Sequence, residues 1–568
     1  MQTSPLRDHA RTAVTAGTEW LFARRGPDGV FTPPGDRFSP GNTAVALMAL
    51  WLTGSDDGDG GDGDDQLDRT SARAVARLLE TQRSDGGWAM SGVPTELLAT
   101  ALVTDVLDII GGRRATWAVR AGRRRIEALG GAESLPEPVM AGLVEQFGVL
   151  TGRSPHDALR RLPSELLLLP GMARRLLSLR LPIFAAMALG QSAQRRPGPA
   201  RRWLDSRARP TALSLVREVY EHGGATGGFS TDPWLTGLIC IGVARSDLAP
   251  DIAESASDWL RSAASPDGGW DLMPLDLTWS GFAGAALLEA GRGDDPRLAA
   301  TRAMFRDRHH DAPFSALACP PGYWGFSDER SWPMALETAE ISSLLRRLPG
   351  GADDPHAREG VDWLTRMQDS RGSWSLAVRN SGPGGFGPCP QMTAKAVLAL
   401  LDHGAETRDP RVRKALRWLT SRQDPDGSFE ALWYRGRTPG TAAVLEAFCR
   451  AHGFGHPVAR KARDWLLRAR QADGSWGTGR CQEPGTAEET AWALHALLTA
   501  GMAPDDEVAV GAARRLLAAQ LEDGGWQGGP VNEYVRLCSR YSDDVIACGL
   551  AVRALARLCG PGTAEDGA

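Results

Sequence analysis

Apolar residues recur along most of the chain at helical spacing, in two alternating kinds of segment. The first kind is amphipathic and ends in Trp-Leu or Leu-Leu. A Gln usually follows, and then Asp-Gly-Gly or Asp-Gly-Ser before an aromatic residue. Copies run from Trp20-Leu21 to Phe31, from Leu78-Leu79 to Trp88 and from Trp259-Leu260 to Trp270; four more end at Trp374, Phe429, Trp476 and Trp526. The second kind is short, apolar and rich in small residues, as in residues 393–401 and 490–498. Small residues beside leucines suit an inner helix packed closely by neighbours. From Trp374 onward the copies return about every fifty residues, the period of helical-pair arrays. Asp-Gly predicts a turn in which glycine takes φ > 0 where a helix stops. The aromatic is expected to fold back over the helix ends, and the Gln amide to bond orphan groups at a helix terminus. Such pairs either stack into an open binding solenoid or close into an α-barrel around a cavity.

Length and composition narrow this. At 568 residues the chain exceeds one ordinary core, which predicts two or three domains. Hydrophobic residues at 42% and charged residues at 23% are the profile of a soluble globular protein. A net charge of -5, with arginines scattered among acids, excludes a nucleic-acid footprint. The eight cysteines form no CxxC pair and no zinc-spaced cluster with histidine. The first residues lack the apolar run of a signal peptide, and no stretch has the uninterrupted apolar length of a membrane span, so a cytoplasmic address is expected. The 19 tryptophans against 5 tyrosines, and the 66 glycines, are what the repeat predicts.

Gln-x-x-Asp-Gly-Gly/Ser-Trp is the QW motif, and with it the chain resembles the class II terpene cyclases: squalene–hopene cyclases, oxidosqualene cyclases and bacterial labdane-type diphosphate cyclases. Residues 126–190 are similar to the inserted domain of squalene–hopene cyclase. Residues 275–281, with Trp279, resemble the segment that brings a tryptophan into that enzyme's cavity. Gly485-Thr-Ala-Glu-Glu-Thr-Ala-Trp492 resembles a run found in bacterial diphosphate cyclases. The resemblance implies an all-α protein of two α/α barrels. Residues 1–50 and 301–568 would form one barrel, and residues 51–300 a second inserted into it. Between them it implies an apolar cavity in which a polyprene folds. Aromatic faces stabilise carbocations there, and Trp279, Trp324, Trp332, Trp433, Tyr434 and Tyr541 are the candidates for cavity or core.

The chain departs from the family where initiation is expected. Class II cyclases protonate an alkene or epoxide with an Asp-x-Asp-Asp run. Here, after Asp328 and Trp332 and before Thr338-Ala339, stands Met334-Ala335-Leu336-Glu337. By resemblance, Leu336 occupies the proton-donating position and joins Gln391 among the substrate-binding candidates. Lys395 stands where squalene–hopene cyclase has a histidine supporting the acid. Glu337, with Asp328 or Lys395 nearby, is the candidate displaced acid, although a lysine beside it would lower its pKa. The one other Asp-x-Asp-Asp, at Asp62-Gly-Asp64-Asp65, lies in a Gly/Asp run and reads as a loop.

Initiation by loss of diphosphate would instead need Mg²⁺ on paired carboxylates, for which Asp353-Asp354, Asp505-Asp506 and Asp543-Asp544 are candidates. Each reads first as a helix start. Three functions compete. The first is a cyclase acting on a linear or partly cyclised prenyl substrate, with a C15–C20 diphosphate favoured over squalene. The second is a non-catalytic isoprenoid carrier on the same fold. The third, a prenyltransferase subunit, requires a zinc set that the sequence does not assemble. Residues 172–186 suit either peripheral contact with a membrane or a buried amphipathic helix. Nothing in the sequence sets an oligomeric state.

Overall fold

The computed structural model describes residues 5–54, 68–155, 159–194, 198–382, 386–479 and 483–560. The Asp62–Asp65 run lies outside them. The two kinds of segment become two layers of helices. Six apolar helices close a ring in chain order: α12 (Asp276–Glu289), α14 (Ala335–Arg347), α16 (Pro390–Asp402), α18 (Thr438–His452), α20 (Ala487–Thr499) and α22 (Asp544–Cys559), with α22 packing back on α12. The amphipathic partners lie outside it: α1 (Pro5–Ala23), α13 (Leu298–Asp307), α15 (Pro355–Met367), α17 (Pro410–Arg422), α19 (Pro457–Ala469) and α21 (Glu507–Ala518). Closure, not open stacking, is therefore the outcome.

A second array has inner helices α2 (Pro40–Gly54), α4 (Leu97–Ile110), α6 (Pro138–Leu150), α8 (Leu181–Gln194) and α10 (Pro233–Ala244). Around them lie α3 (Arg69–Glu80), α5 (Gly112–Ala128), α7 (Pro170–Leu177), α9 (Pro199–His222) and α11 (Pro250–Ser262). Contact is close along α8–α10–α2–α4–α6 and slight between α6 and α8. Packing puts α2 in this array and α12 in the six-helix ring. The chain thus crosses between them within residues 24–39 and 263–275, not at the 50 and 300 expected from sequence. The only paired strands among the described residues are β1 (Asn532–Val535) and β2 (Ser539–Tyr541), an antiparallel hairpin before α22.

The repeat motif acts as a stitch. The indole Nε1 of Trp88, Trp270, Trp374, Trp476 and Trp526 donates to the carbonyl ten residues earlier, at 2.7–2.8 Å. The backbone N–H of Trp374, Phe429 and Trp476 donates to a threonine hydroxyl in the next inner helix. The Gln amide bridges two carbonyls rather than filling orphan helix ends alone. Gln423 Nε2 donates to Gly427 O in its own turn and to Val458 O in the next outer helix. Gln520 does the same to Gly524 O and to Ala13 O, joining the last repeat to the first helix. In that turn geometry Gly427 has φ +97°, and a Cβ there would lie 2.5 Å from Lys461 O. Outer helices begin at caps: the carboxylates of Asp354, Asp409 and Asp506 accept backbone N–H groups of their first turns. Two of the three acidic pairs are thereby accounted for as helix starts.

Candidate functional site

Because every second helix is inner, the six inner helices of the main ring run the same way. Their N-terminal ends gather at one cavity of about 540 Å³, which receives Thr278 from α12, Met334, Leu336 and Glu337 from the start of α14, and Tyr434 and Tyr541 from just before α18 and α22. Trp332, Trp433, Phe326 and Phe386 add aromatic wall, and α6, α8 and α10 of the second array close it with Leu143, Ile183, Phe184 and Leu238. The C-terminal ends of the same helices surround a separate polar cavity of about 430 Å³.

Glu337 is the first-turn acid of α14 and is buried. Thr278 Oγ1 donates to its Oε1 at 3.1 Å, and among the described residues Oε2 has no partner. Burial, reinforced by the Glu340 carboxylate, pushes Glu337 up to about 7 against the weaker pull of the Thr278 bond. The helix N-terminus favours the carboxylate, but desolvation outweighs it. A second carboxyl faces the same space from the opposite array. Asp232 caps α10 through Trp234 N at 2.9 Å, accepts Tyr534 Oη at 2.6 Å and is pushed by burial to about 7. Sequence reading missed Asp232; the only signal was Asp-Pro before an apolar helix, which says cap and not cavity.

Five expected residues thus meet around Glu337: Trp332, Leu336, Trp433, Tyr434 and Tyr541. Burial holds both tyrosine hydroxyls well above their ordinary range. Trp332 Nε1 has no partner among the described residues. The other expectations are redistributed. Asp328 lies outside the cavity lining, saturated by Arg330 (2.7 Å) and Thr231 (3.0 Å). Lys395 lines the second cavity and pairs with Glu340 at 3.0 Å, and Glu340 stands about one helical turn along α14 from Glu337.

Trp324 is core, its Nε1 bonded to Phe305 O at 2.6 Å. Trp279 donates to Asp543 Oδ2 at 2.5 Å beneath the Arg37 guanidinium, 4.4 Å from the ring, and so ties α12 to α22 instead of lining the cavity. Gln391 is buried in the first turn of α16, with Oε1 unpartnered among the described residues, and is not on the cavity wall. Asp543 caps Ile546 N while holding Trp279, and Asp544 accepts Gly528 N. These carboxylates are spent on the backbone and an indole and do not fit a Mg²⁺ ion. The 485–492 run is also structural: Glu489 forms a buried pair with Arg435 at 2.8 Å, which anchors the segment carrying Trp433 and Tyr434.

Comparisons with known proteins converge on one family. Residues 385–533 match the squalene-hopene cyclase C-terminal domain. The chain is 29% identical over 498 residues to labda-7,13-dienyl diphosphate synthase of Streptomyces clavuligerus, covering 80% of each chain. It is 32% identical over 238 residues to a squalene–hopene cyclase of Bradyrhizobium diazoefficiens, spanning 36% of that protein's length. Among solved structures, the ent-copalyl diphosphate synthase of Streptomyces platensis aligns over 98% of this chain and 100% of that one, at 17% identity and a TM-score of 0.48. On these sequence matches the chain is similar to class II terpene cyclases, to squalene–hopene cyclases over part of its length and to a labdane-type diphosphate synthase over most of it.

Proposed function

We propose that this protein is a cyclase that starts ring closure by protonating a terminal alkene or epoxide of an isoprenoid from Glu337. The carrying observation is a carboxyl held neutral to about pH 7, with one oxygen unpartnered among the described residues, in a cavity walled by Trp332, Trp433, Tyr434 and Phe326. In the proposed step the Oε2–H bond breaks as the alkene π pair forms a C–H bond. Positive charge is left on the neighbouring carbon and negative charge on the carboxylate. In a desolvated site that ion pair is held by its own attraction and by aromatic faces. The next alkene attacks the cation, and a final proton loss ends the cascade.

The volume suits one folded prenyl chain and lies within the usual ~300–1,000 Å³ of small-molecule sites. Arg160, Arg161, Arg180 and Arg536 on the same wall supply cationic partners for a head group, which supports a C15–C20 diphosphate as substrate. No step is routed through Mg²⁺, since the paired carboxylates do not fit it. Leu168, Leu169, Met172 and Leu176 are exposed on and before α7, next to Leu166 and Leu177 of the cavity wall. This apolar surface supports entry of substrate from a lipid face. Residues 170–194 are apolar and long enough to cross a membrane by length and composition, but 67% of that window is buried in the fold.

The test is incubation of the purified protein with farnesyl diphosphate, geranylgeranyl diphosphate and squalene, with and without Mg²⁺, analysed by mass spectrometry beside Glu337→Gln. A cyclic product lost in the variant supports the proposal. Saturable binding without turnover of any substrate rejects it in favour of a carrier, the reading that Met334 and Leu336 in the acid positions favour.

A further inference from the structure

On the outer face of the main ring, the segment after α13 meets the first two turns of α15. His309 Nδ1 lies 2.7 Å from Asp311 Oδ1 and 3.6 Å from Glu359 Oε2, and one ligand atom from each of the three residues falls within 4.8 Å of the others. The His309 side chain is 1% exposed, whereas the two carboxylates are 80% and 56% exposed. A second imidazole stands beside them: the ring centroids of His356 and His309 are 5.1 Å apart. His356 Nδ1 is buried and has no hydrogen-bond partner among the described residues. The four side chains come from a His-x-Asp and a His-x-x-Glu. The second spacing, i and i+3, puts both side chains on one face of α15.

We propose that His309, Asp311 and Glu359 bind one divalent transition-metal ion of the Zn²⁺ class, with solvent completing its shell. The donor set decides the class. Mg²⁺ and Ca²⁺ take all-oxygen shells, whereas imidazole nitrogen mixed with carboxylate selects Zn²⁺ and its neighbours. Ligand distances of about 2.0–2.2 Å in a tetrahedron require donors about 3.3 Å apart. The observed 2.7 and 3.6 Å bracket that value, and the carboxylates are exposed enough to adjust. A neutral imidazole offers the Nδ1 lone pair that such an ion takes. Metal binding takes that lone pair at Nδ1 and leaves the ring proton on Nε2.

The ion's work there is bracing. The His309 ring packs T-shaped on Trp324 at 4.6 Å, and the backbone of the neighbouring His310 pairs with that of residues 322–323, His310 N donating to Tyr323 O at 3.0 Å and Gly322 N to His310 O at 2.7 Å. The bound metal would therefore lock the start of the 322–334 segment, which delivers Trp332 and Met334 to the cavity. This site is independent of the cyclase proposal.

The experiment uses tag-free, full-length protein stripped with chelator. Zn²⁺ is titrated against a chromophoric competitor, and Co²⁺ by its d–d absorption. Asp311→Asn/Glu359→Gln serves as the comparison, because both side chains are exposed and the fold should survive the exchange. One equivalent is expected in the wild type, with affinity at least 100-fold weaker in the double variant. A rise in Tm on adding Zn²⁺ is expected only in the wild type. Absence of saturable binding, or equal affinity in the double variant, overturns the proposal.

Discussion

Glu337→Gln should produce a protein that is both less active and more stable, and the size of each effect follows from the same burial. The exchange keeps the shape and removes the proton. Loss of a positioned general acid typically lowers the rate by about 10²–10⁴-fold. In the proposed step the protonated form is the active one. With Glu337 near 7, activity should hold below that pH and fall about tenfold for each pH unit above it.

Stability runs the other way. An ordinary glutamate ionises near 4.3, and at 1.36 kcal/mol per pH unit the gap to about 7 amounts to roughly 3.7 kcal/mol. Below about pH 4 both folded and unfolded chains carry the proton, and the group is neutral in its effect. Between about 4.3 and 7 only the unfolded chain loses it, so wild-type stability declines; above 7 the decline is complete. Glutamine does not titrate. The variant should therefore gain about 3.6 kcal/mol over wild type at pH 8 and about 1 kcal/mol at pH 5. For a chain of this length, about 1 °C per kcal/mol is expected, so Tm should rise by about 3 °C at pH 8. Paired thermal melts and turnover assays at both pH values check it. A variant that melts below wild type at pH 8, or turns over within a factor of about ten, would refute the reasoning.

Four further outcomes are expected. Trp324→Phe loses a buried indole bond to Phe305 O and should lower Tm without altering product identity. Trp332→Phe removes an N–H with no partner among the described residues and should leave Tm unchanged while broadening the product mixture by mass spectrometry. Gln520→Ala deprives Ala13 O and Gly524 O of their shared donor, for a loss of about 1–3 kcal/mol in denaturant unfolding. Asp232→Asn should keep turnover within about tenfold, since the proposed donor is Glu337; loss equal to that of Glu337→Gln would transfer the role to Asp232.

The helices, their order and their pairing into two barrels were legible in the chain because each depends on local rules. Apolar spacing distinguishes inner from outer segments, Asp-Pro marks starts, and Asp-Gly-aromatic marks the turns. The change at Met334-Ala335-Leu336-Glu337 was equally legible, and all but Ala335 of those four residues line the cavity. Side-chain destinations were not. Trp279, Trp324 and Trp332 have the same chemistry and similar neighbours in sequence. One holds Asp543, one packs in the core and one faces the cavity.

By itself, then, the sequence determined which segments are helical, that they repeat, and that a lone glutamate remains where an acidic run is expected. Only the tertiary structure decided that Lys395 and Glu337 line different cavities, and that Asp232 joins Glu337 from the other array. It also decided that Glu337 is buried, which raises its pKa to about 7. Helical periodicity specifies the face on which a residue lies, whereas the pKa of a carboxyl depends on what the other helices exclude from around it.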